Sequence, residues 1–511
     1  MSSPTFNNSR EDFEHAFESY HVVPVHSIVD SNGIRPIDTL KALRAPGNPA
    51  FIFESESPEP GASRYAYVCP KIDHVARTGT TEPLGDVDPI EALRNQFRTR
   101  SVAPIAGLPT LVTGAFGYFA YEAIKHFEPS VGELPDDPTG SPISALMLPA
   151  ELLVFDRALE QLHIIVFSSQ ADRFEASVDR ISQICESLET VSADTHISES
   201  PARQPEVEPL NVVAEMLQTK CEFAKAIRHA REAIIDGELI QIVLGQRVET
   251  RTPADPVDIY EQLSTMNPSP YMYMLDLGDM QLIGTSPELM LRSKNGNAAV
   301  HPIAGTRPRG ETPEQDLQNE VNLLSNEKEL AEHVMLVDLA RNDLGRVSKP
   351  GTVNVKSFKH IERYSHVMHL VSRVEGKLSD DNDGIDAFQA GFPIGTLSGA
   401  PKIRSIQLIA ELEPEGRGPY CGGIGWFAPN GDVDTGTIIR SIVLRNGTAH
   451  VQGGAGIVFD SDPEAENLES LQKAKAPLLA IARAEATREQ HKQNGTQTSQ
   501  ESQHTATITV E

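Results

Sequence analysis

Two pairs of glutamates at a spacing of three are the residues of this sequence best suited to chemistry. Glu329 and Glu332 form one pair, and Glu466 and Glu469 form the other. A spacing of three places both side chains on one face of a helix. Such carboxylates are either solvated surface groups or ligands of a cation, and a set of oxygen ligands alone suits Mg²⁺.

The surroundings of the first pair favour a cation. Residues 328–343, "KELAEHVMLVDLARND", carry apolar side chains around the carboxylates, and this predicts a largely buried helix. Unpaired carboxylates are costly in such a helix, and a divalent cation would remove that cost. For the second pair the surface alternative stays open, because Glu469 could form an ion pair with Lys473 four residues later.

Residues 420–458 predict a row of anion-binding groups. They contain two Asn-Gly turns between strand-like segments, which is the pattern of a three-stranded meander. With two-residue loops, Arg440 faces Cys421 on one side and Gly453 on the other. Tyr420, Arg440 and the glycines from Gly453 onward would then offer a hydroxyl, a guanidinium and free amides to an anion. The alternative is a sheet end whose glycines form a bulge.

The elements that would hold these residues follow from hydrophobic periodicity. One helix is predicted by an apolar stripe that ends near Gly237, and strands are predicted where apolar runs are bounded by turn residues. The stripe consists of Phe223, Ile227, Ala230 and Ile234, and the strands lie within 238–250, 271–277 and 280–293.

Composition divides the chain into parts. A polar, proline-rich stretch predicts a linker, and the last residues are too polar to bury a core, which predicts disorder. The predicted parts are an amino-terminal region (1–193), a linker (194–210), a second domain (211–488) and a disordered tail (489–511).

The net charge of the 511-residue chain is −28, from 72 acidic and 44 basic residues. This excess argues against nucleic acid as a partner, because phosphate binding needs a dense face of Lys and Arg. The four cysteines stand far apart with no C-x-x-C motif, so neither a zinc site nor a disulfide framework is predicted. No apolar leader and no apolar run of membrane length is present, so the expected location is the cytoplasm, with no membrane contact.

Five motifs together resemble the chorismate-utilising enzymes, and most closely the large subunits of anthranilate synthases. They are "HPIAGTRPRG" (301–310), "EHVMLVDLARNDLGR" (332–346), "IERYSHVMHLVSRVEGKL" (361–378), "FPIGTLSGAPKIRSIQLI" (392–409) and "ENLESLQKAKA" (466–476). The resemblance is strong over 215–485 and weaker in "FIFESES" (51–57) and "GAFGYFAYE" (114–122). It implies an α+β fold with extensive antiparallel β-sheets flanked by helices, in which an amino-terminal regulatory region intertwines with a catalytic domain.

The resemblance also implies which residues bind the substrate, chorismate. Glu332 and Glu469 would ligate Mg²⁺ directly, while Glu329 and Glu466 would act through water or support the site, and the metal would hold the ring carboxylate. Chorismate is a dianion, so a site lined with glutamates must bring in positive charge. The residues implied for its enolpyruvyl carboxylate are Gly305, Thr306, Tyr420, Arg440, Gly454, Ala455, Gly456 and Lys473.

The implied reaction is attack of ammonia on ring C2, loss of the C4 hydroxyl and elimination of pyruvate to leave anthranilate, the first committed step of tryptophan biosynthesis. A departing hydroxide needs a proton from a carboxylic acid that stays neutral, and Glu288 matches the general acid of the family. His369 would handle the later proton loss, and Thr396 would orient the ring. Without the motifs, Glu288 could equally be a surface residue at a strand end, and His369 a hydrogen-bonded core histidine.

Two positions separate the related activities. Isochorismate and salicylate synthases carry a water-activating lysine where this chain has Gln241, and aminodeoxychorismate synthases often carry a lysine where it has Ala304. Lacking both, the chain is expected to use ammonia at C2, with an aminodeoxychorismate synthase as the alternative and an isochorismate or salicylate synthase less favoured. A non-enzymatic alternative is an inactive paralogue that binds divalent ions.

Partners and regulation are further expectations from the resemblance. No cysteine lies in the glycine-rich elbow of a glutamine amidotransferase, so ammonia should come from a separate amidotransferase small subunit in a hetero-oligomer. Tryptophan is expected to inhibit, with Ser55 facing a wall of Pro270, Tyr271 and Met272. The alternative for these four residues is a strand and its proline turn.

Overall fold

Antiparallel strand pairs dominate the structure. A computed structural model describes residues 5–6, 9–55, 63–195, 223–364 and 367–505, and all twenty strands within them belong to one network of antiparallel ladders. The strands are β1 (Thr5–Phe6), β2 (Val23–Asp30), β3 (Ala50–Glu54), β4 (Tyr65–Thr78), β5 (Ala115–Phe119), β6 (Ser144–Asp156), β7 (Gln161–Ser168), β8 (Gln241–Arg251), β9 (Tyr271–Asp276), β10 (Met280–Ser286), β11 (Leu289–Lys294), β12 (Asn297–Val300), β13 (Ile303–Pro308), β14 (Asn354–Arg363), β15 (Val367–Lys377), β16 (Gly399–Ala400), β17 (Gly423–Phe427), β18 (Val433–Thr437), β19 (Ser441–Arg445) and β20 (Thr448–Ile457).

Helices flank these ladders, which confirms the predicted α+β class. They are α1 (Arg10–Ala16), α2 (Pro36–Leu43), α3 (Pro89–Thr99), α4 (Ile124–Phe127), α5 (Phe174–Thr195), α6 (Phe223–Ile235), α7 (Pro256–Met266), α8 (Pro313–Ser325), α9 (Glu327–Gly345), α10 (Gly384–Gly391), α11 (Lys402–Leu412) and α12 (Pro463–Thr505). A short 3₁₀ helix at Gly395–Leu397 matters for the site described below. No helix in the described ranges combines the length and apolar character that crossing a membrane requires.

The amino-terminal region and the second domain share backbone hydrogen bonds. Strand β3 pairs with β9, so that Phe51 lies opposite Leu275, and β5 pairs with β17. Burial of these strands on both faces explains their continuous apolar sequences. Of the predicted linker, only residues 194 and 195 are described, and they end α5; the remainder lies outside the described residues.

The helix stripe and the three predicted strand segments are confirmed. Phe223, Ile227, Ala230 and Ile234 are buried on one side of α6, and the strand segments contain β8, β9, β10 and β11. The Glu-x-x-Glu pairs lie on α9 and α12, as predicted. However, α9 is buried on one face only, since Val334 is 44% exposed, so the prediction of a largely buried helix was wrong.

The meander is present, with one register corrected. Strands β19 and β20 pair as a two-residue Asn-Gly loop requires, with Ile442 opposite Val451. Strands β17 and β18 are one residue away from the predicted register, with Gly423 opposite Thr437. The reason is a longer loop, which Ala428 closes by donating its backbone N–H to the Asp432 carbonyl.

The register change moves Arg440 away from its predicted partners. Arg440 falls between β18 and β19 and has a φ of 52°, in the left-handed region. The Cys421 N–H bonds to the Ile438 carbonyl, so the predicted pairing of Arg440 with Cys421 was wrong. On the other side, the β19–β20 ladder keeps the predicted register but ends at Ile442 and Val451, short of Arg440 and Gly453. A residue outside the ladder can turn its side chain towards a cavity instead of following the strand alternation.

The last helix extends into the predicted tail. The sequence predicts disorder from residue 489, which stays a prediction, and α12 continues to Thr505. A helix that is already formed extends at little cost, since each added residue brings one hydrogen bond, and polar residues such as Gln and Glu propagate it well.

Candidate active site

One cavity of about 600 Å³ collects nearly all of the predicted site residues. It lies between β13, β15 and β20 on the sheet side and α9 and α12 on the helix side, with the 3₁₀ helix at its base. The predicted residues that line it are Gln241, Glu288, Gly305, Thr306, Glu329, Glu332, His369, Thr396, Tyr420, Arg440, Gly454, Gly456, Glu466, Glu469 and Lys473.

Ala455 is the predicted substrate residue that does not line the cavity. It is fully buried in the core with Ile242 and Ile457. Successive side chains of a strand point to opposite faces, so Gly454 and Gly456 face the cavity and the residue between them cannot. The side chain of Ala455 therefore does not contribute to the cavity, and a role of this residue in binding the substrate stays a prediction.

Glu288 is a buried acid held by a threonine. It lies in the turn between β10 and β11 and is 5% exposed, so it is not a surface residue. The hydroxyl of Thr396, on the 3₁₀ helix, donates to Glu288 Oε1 over 2.6 Å. Burial raises the pKa of Glu288 to about 7, against the opposing effects of Thr396 and Lys473. A large share of Glu288 is thus neutral near pH 7 and can give a proton.

His369 is held as a neutral imidazole. It lies on β15, and its Nδ1 is 3.0 Å from the Thr306 hydroxyl on β13. Burial lowers the pKa of His369 to about 4, and the charge of Arg440 lowers it as well, while a backbone hydrogen bond with Gly305 opposes both. At neutral pH the imidazole is uncharged, so one of its ring nitrogens can accept a proton.

The cavity also contains a cationic side chain, that of Arg440. The Arg440 guanidinium has no hydrogen-bond or ion-pair partner among the described residues, and burial lowers the pKa of Arg440 below its ordinary value. Tyr420 and the backbone of β20 lie beside it. At Gly454 a Cβ atom would come 2.8 Å from the Tyr420 hydroxyl, so only glycine leaves room there. The geometry suits a carboxylate that accepts from Arg440 and Tyr420.

The four glutamates form the acidic wall of the same cavity. Glu332 accepts from Gln241 Nε2 at 3.1 Å, and Glu469 pairs with Lys473 at 2.7 Å, which is the ion pair that its spacing allowed. Burial, and then the charge of the other pair member, raises the pKa values of Glu332 and Glu466. The basic side chains near the four glutamates therefore do not neutralise all of their negative charge.

A metal would have to join these carboxylates together with a ligand. In the described part of the chain, no three carboxylate, imidazole or thiol groups converge as the ligands of one ion would. The donor set nevertheless fits Mg²⁺, which often binds through one or two carboxylates and completes its shell with water and an anionic ligand. The raised pKa values of Glu332 and Glu466 show that ionisation of these carboxyl groups is unfavourable here, and a nearby cation would stabilise their ionised forms.

Local sequence explains where the glutamates sit. The Asn326 side chain caps α9 by accepting from the Glu329 N–H at 3.1 Å, which places Glu329 in the first turn and Glu332 in the second. Asp462 accepts from the Ala465 N–H at 2.9 Å and does the same for α12. Two helix starts, each fixed by a capping side chain, thus point their first turns at one cavity.

Two residues of the cavity lining, Lys328 and Gln452, and one residue bonded to that lining, Arg307, were not predicted from the sequence. Arg307 pairs with Glu329 at 3.0 Å, and Lys328 lies in the lining next to it. Gln452 also lines the cavity. A signal existed for Gln452, because it precedes Gly454 and Gly456 by steps of two and shares their strand face. Arg307 and Lys328 stand within quoted motifs, but sequence alone did not show which basic residues would meet the glutamates.

The residues expected to bind tryptophan lie away from this cavity. Ser55 directly follows Glu54, and Glu54 pairs with Met272 across β3 and β9. The four predicted residues are thus grouped where those strands meet. Tyr271 is buried and donates its hydroxyl to Asp434 Oδ1 at 2.7 Å. No described residue of this group lines the 600 Å³ cavity.

Comparison with known proteins agrees with the fold. Residues 49–479 match the family described as chorismate binding enzyme. Anthranilate synthase component 1 of Streptomyces coelicolor is 43% identical over 91% of this chain and 90% of its own length, and that of Acetivibrio thermocellus is 40% identical over 91% and 97%. The crystal structure of anthranilate synthase component I from Streptococcus pneumoniae superposes with a TM-score of 0.69 at 34% identity, over 81% of this chain and 92% of that one. The chain therefore belongs to the chorismate binding enzyme family.

Proposed function

We propose that the protein is the chorismate-utilising subunit of an anthranilate synthase, which converts chorismate and ammonia to anthranilate and pyruvate in tryptophan biosynthesis. One observation carries the proposal: a single cavity places a guanidinium that has no partner among the described residues, Arg440, together with a buried acid of pKa about 7, Glu288. The curated relatives named above, at about 40% identity over most of the chain, carry this activity in their name.

Binding of chorismate would use both walls of the cavity. The enolpyruvyl carboxylate would accept from Arg440 and Tyr420, with the backbone of Gly454 and Gly456 close by. The ring carboxylate would lie towards the glutamates on α9 and α12. Mg²⁺ held by Glu329, Glu332, Glu466 and Glu469 would supply the positive charge that this end of the cavity lacks.

The first chemical step would form a C2–N bond and break the C4–O bond. As ammonia attacks ring C2, the ring double bonds shift towards C4, and the C4 hydroxyl leaves with a proton from Glu288 as water. The hydrogen bond from Thr396 to Glu288 Oε1 leaves the other carboxyl oxygen free to carry that proton. The burial of Glu288 supports this role, because a solvated glutamate would be ionised at pH 7.

The second step would restore aromaticity. His369, neutral at pH 7, accepts the proton from ring C2, and the electron pair forms a ring double bond as the ether bond at C3 breaks. The enolpyruvate that leaves becomes pyruvate on protonation. The Thr306 hydroxyl, 3.0 Å from His369 Nδ1, fixes the orientation of the ring, and in the tautomer whose Nδ1 donates to Thr306 the accepting atom is Nε2.

Ammonia as nucleophile is supported by the residues at two positions. Gln241 and Ala304 both line the cavity, and neither can activate water or attack as an amine. We therefore propose that a separate glutamine amidotransferase subunit supplies ammonia in a hetero-oligomer. The described cysteines, Cys69, Cys185 and Cys421, are buried, and burial raises the pKa of each thiol, which suits none of them as the nucleophile of a glutaminase.

Tryptophan is proposed as an inhibitor that binds near Ser55 and the segment Pro270–Met272. Strand β9 supports this proposal, because it lies between β3 and β10, and β10 leads directly into the turn that carries Glu288. A ligand at the β3–β9 edge could in this way shift the acid. A cytoplasmic location stays a prediction from composition.

The direct test is turnover by the purified chain. Chorismate, ammonium and Mg²⁺ should yield fluorescent anthranilate and an equal amount of pyruvate, and EDTA should stop the reaction. Isochorismate or salicylate as product would instead assign a water-using enzyme, and 4-amino-4-deoxychorismate would assign the folate branch. Tight Mg²⁺ binding without any product would favour the non-enzymatic alternative.

Added tryptophan should lower the rate, and an unchanged rate at high tryptophan refutes the inhibitor site.

A further inference from the structure

Arg417 is a buried arginine that lies behind the wall of the cavity without lining it. Its side chain is 2% exposed. The guanidinium donates to Glu413 Oε1 at 2.6 Å and Oε2 at 2.9 Å, to the Leu397 carbonyl at 2.9 Å and to the Val243 carbonyl at 2.7 Å. A buried guanidinium is costly unless its donors are used, and here Nε, Nη1 and Nη2 all are.

These bonds join two elements that carry cavity residues. Leu397 directly follows Thr396 on the 3₁₀ helix, and Val243 on β8 lines the cavity itself. Glu413, which Arg417 holds, also accepts from the Gly245 N–H on β8 at 2.7 Å. One guanidinium thus ties the turn that presents Thr396 to the strand that forms the neighbouring wall.

Other atoms of Arg417 reach the substrate side of the cavity. Its guanidinium carbon lies 4.7 Å from the ring centroid of Tyr121 and 5.9 Å from that of Tyr420. Its backbone carbonyl accepts from Gln452 Nε2 at 2.8 Å. Tyr420 and Gln452 both line the cavity. Arg417 therefore contacts both the segment that presents Thr396 to Glu288 and the residues Tyr420 and Gln452 of the cavity lining.

We propose that Arg417 is a positioning residue for the active site, which fixes Thr396 against Glu288 and Tyr420 at the cavity wall. The planar fork of an arginine reaches several carbonyls in fixed directions, and a lysine, with one ammonium group, cannot reproduce this. The inference rests on the proposed function, since its readout is formation of anthranilate.

The test is Arg417→Lys, with Arg247→Lys as the matched control. Arg247 is also a nearly buried arginine, on β8, and it donates to the Gly416 carbonyl at 2.6 Å without lining the cavity. We expect Arg417→Lys to lower kcat by about 100-fold, the scale of a displaced catalytic geometry. Arg247→Lys should keep kcat within about threefold of the wild type, since its bonds do not reach the cavity.

A pH profile separates positioning from a general loss of structure. At a constant concentration of unprotonated ammonia, kcat should fall as Glu288 ionises near pH 7. Thr396→Val removes a hydrogen bond that lowers the pKa of Glu288, so the fall moves to higher pH. Arg417→Lys should move it in the same direction, and the double variant should show no further shift. Lys473 and the Cys421 thiol also face Glu288, and none of these variants changes them.

Several outcomes would overturn the inference. These are an unchanged kcat in Arg417→Lys, a lower kcat with an unmoved pH profile, a shift that adds to that of Thr396→Val, or equal effects in Arg247→Lys. If Arg417→Lys does not fold, Glu413→Gln replaces it, because it loosens the same guanidinium and keeps an oxygen for Gly245. A wild-type chain that makes no anthranilate would overturn the proposed function as well.

Discussion

Replacing Glu288 with glutamine should separate two effects of this residue, which are its role as a proton donor in catalysis and the destabilisation that its burial causes. Glutamine has the same shape and still accepts from the Thr396 hydroxyl, but it has no proton to give. General acids contribute about 10² to 10⁴ in rate, so kcat should fall by about that factor. Chorismate binding should change little, because Arg440 and Tyr420 remain. Steady-state kinetics on anthranilate formation measures both quantities.

The effect on stability follows from the pKa of Glu288. It is about 7 in the folded chain against an ordinary value of 4.5, so ionisation of the folded form costs about 3 kcal/mol at 1.36 kcal/mol for each pKa unit. Below the ordinary value both folded and unfolded chains are protonated, and nothing is lost. As pH rises towards 7 only the unfolded chain releases the proton, so stability falls across that window.

Glu288→Gln should remove this loss. Its unfolding free energy relative to the wild type should rise by about 3 kcal/mol between about pH 4.5 and about pH 8. Chemical denaturation across this range measures the difference. A difference that does not depend on pH would show that Glu288 is ionised in the folded chain, and the reasoning about the acid would fail.

Glu122 provides a matched control for the same measurement. It is buried, and burial raises its pKa to about 7 as well, while its carboxylate accepts from the backbone N–H of Arg417 and Gly418. Glutamine can still accept these bonds. Glu122→Gln should therefore gain stability with rising pH in the same way, but keep its turnover.

Three further substitutions test the two walls of the cavity. Arg440→Gln removes charge-assisted bonds to the substrate and should raise KM for chorismate by about 10 to 100-fold, measured by initial rates. Glu469→Gln should abolish Mg²⁺-dependent turnover in a metal titration, whereas Glu464→Gln, on the same helix but outside the cavity, should not. Gly456→Ala places a Cβ 2.8 Å from Gln241 Nε2 and should lower kcat/KM for ammonia by about tenfold. An unchanged kcat/KM would show that Gln241 does not lie where ammonia approaches the substrate.

The parts of the fold that were predicted correctly depend on local sequence. The apolar stripe of α6, the strands β8 to β11 and the β19–β20 register all follow from periodicity or from a two-residue turn. The glutamate pairs were placed on helices for the same reason. Their gathering in one cavity was available only through the five resembling motifs, since spacing along a helix does not determine which other helix lies opposite.

The errors arose where distant contacts decide the structure. The loop after Ala428 is longer than its Asn-Gly pair suggested, and Arg440 leaves the ladder with a left-handed φ that no sequence pattern marked. Burial of Glu288 depends on strands and a 3₁₀ helix more than 100 residues away along the chain, as its bond to Thr396 shows with a separation of 108. The local signal at Arg417 is limited to its spacing of four from Glu413, because the carbonyls that it binds, those of Val243 and Leu397, come from other segments.

The pairing of β3 with β9 and of β5 with β17 sets the order in which the chain can mature on the ribosome. Phe51 cannot meet Leu275, nor Phe119 meet Gly423, until those later residues have been synthesised. Until then, one edge of each early strand keeps unpaired backbone N–H and C=O groups, which can pair with strands of other nascent chains and cause aggregation. These pairings are therefore late events, and the last helix, which carries Glu466 and Glu469, is synthesised later than any of these strands.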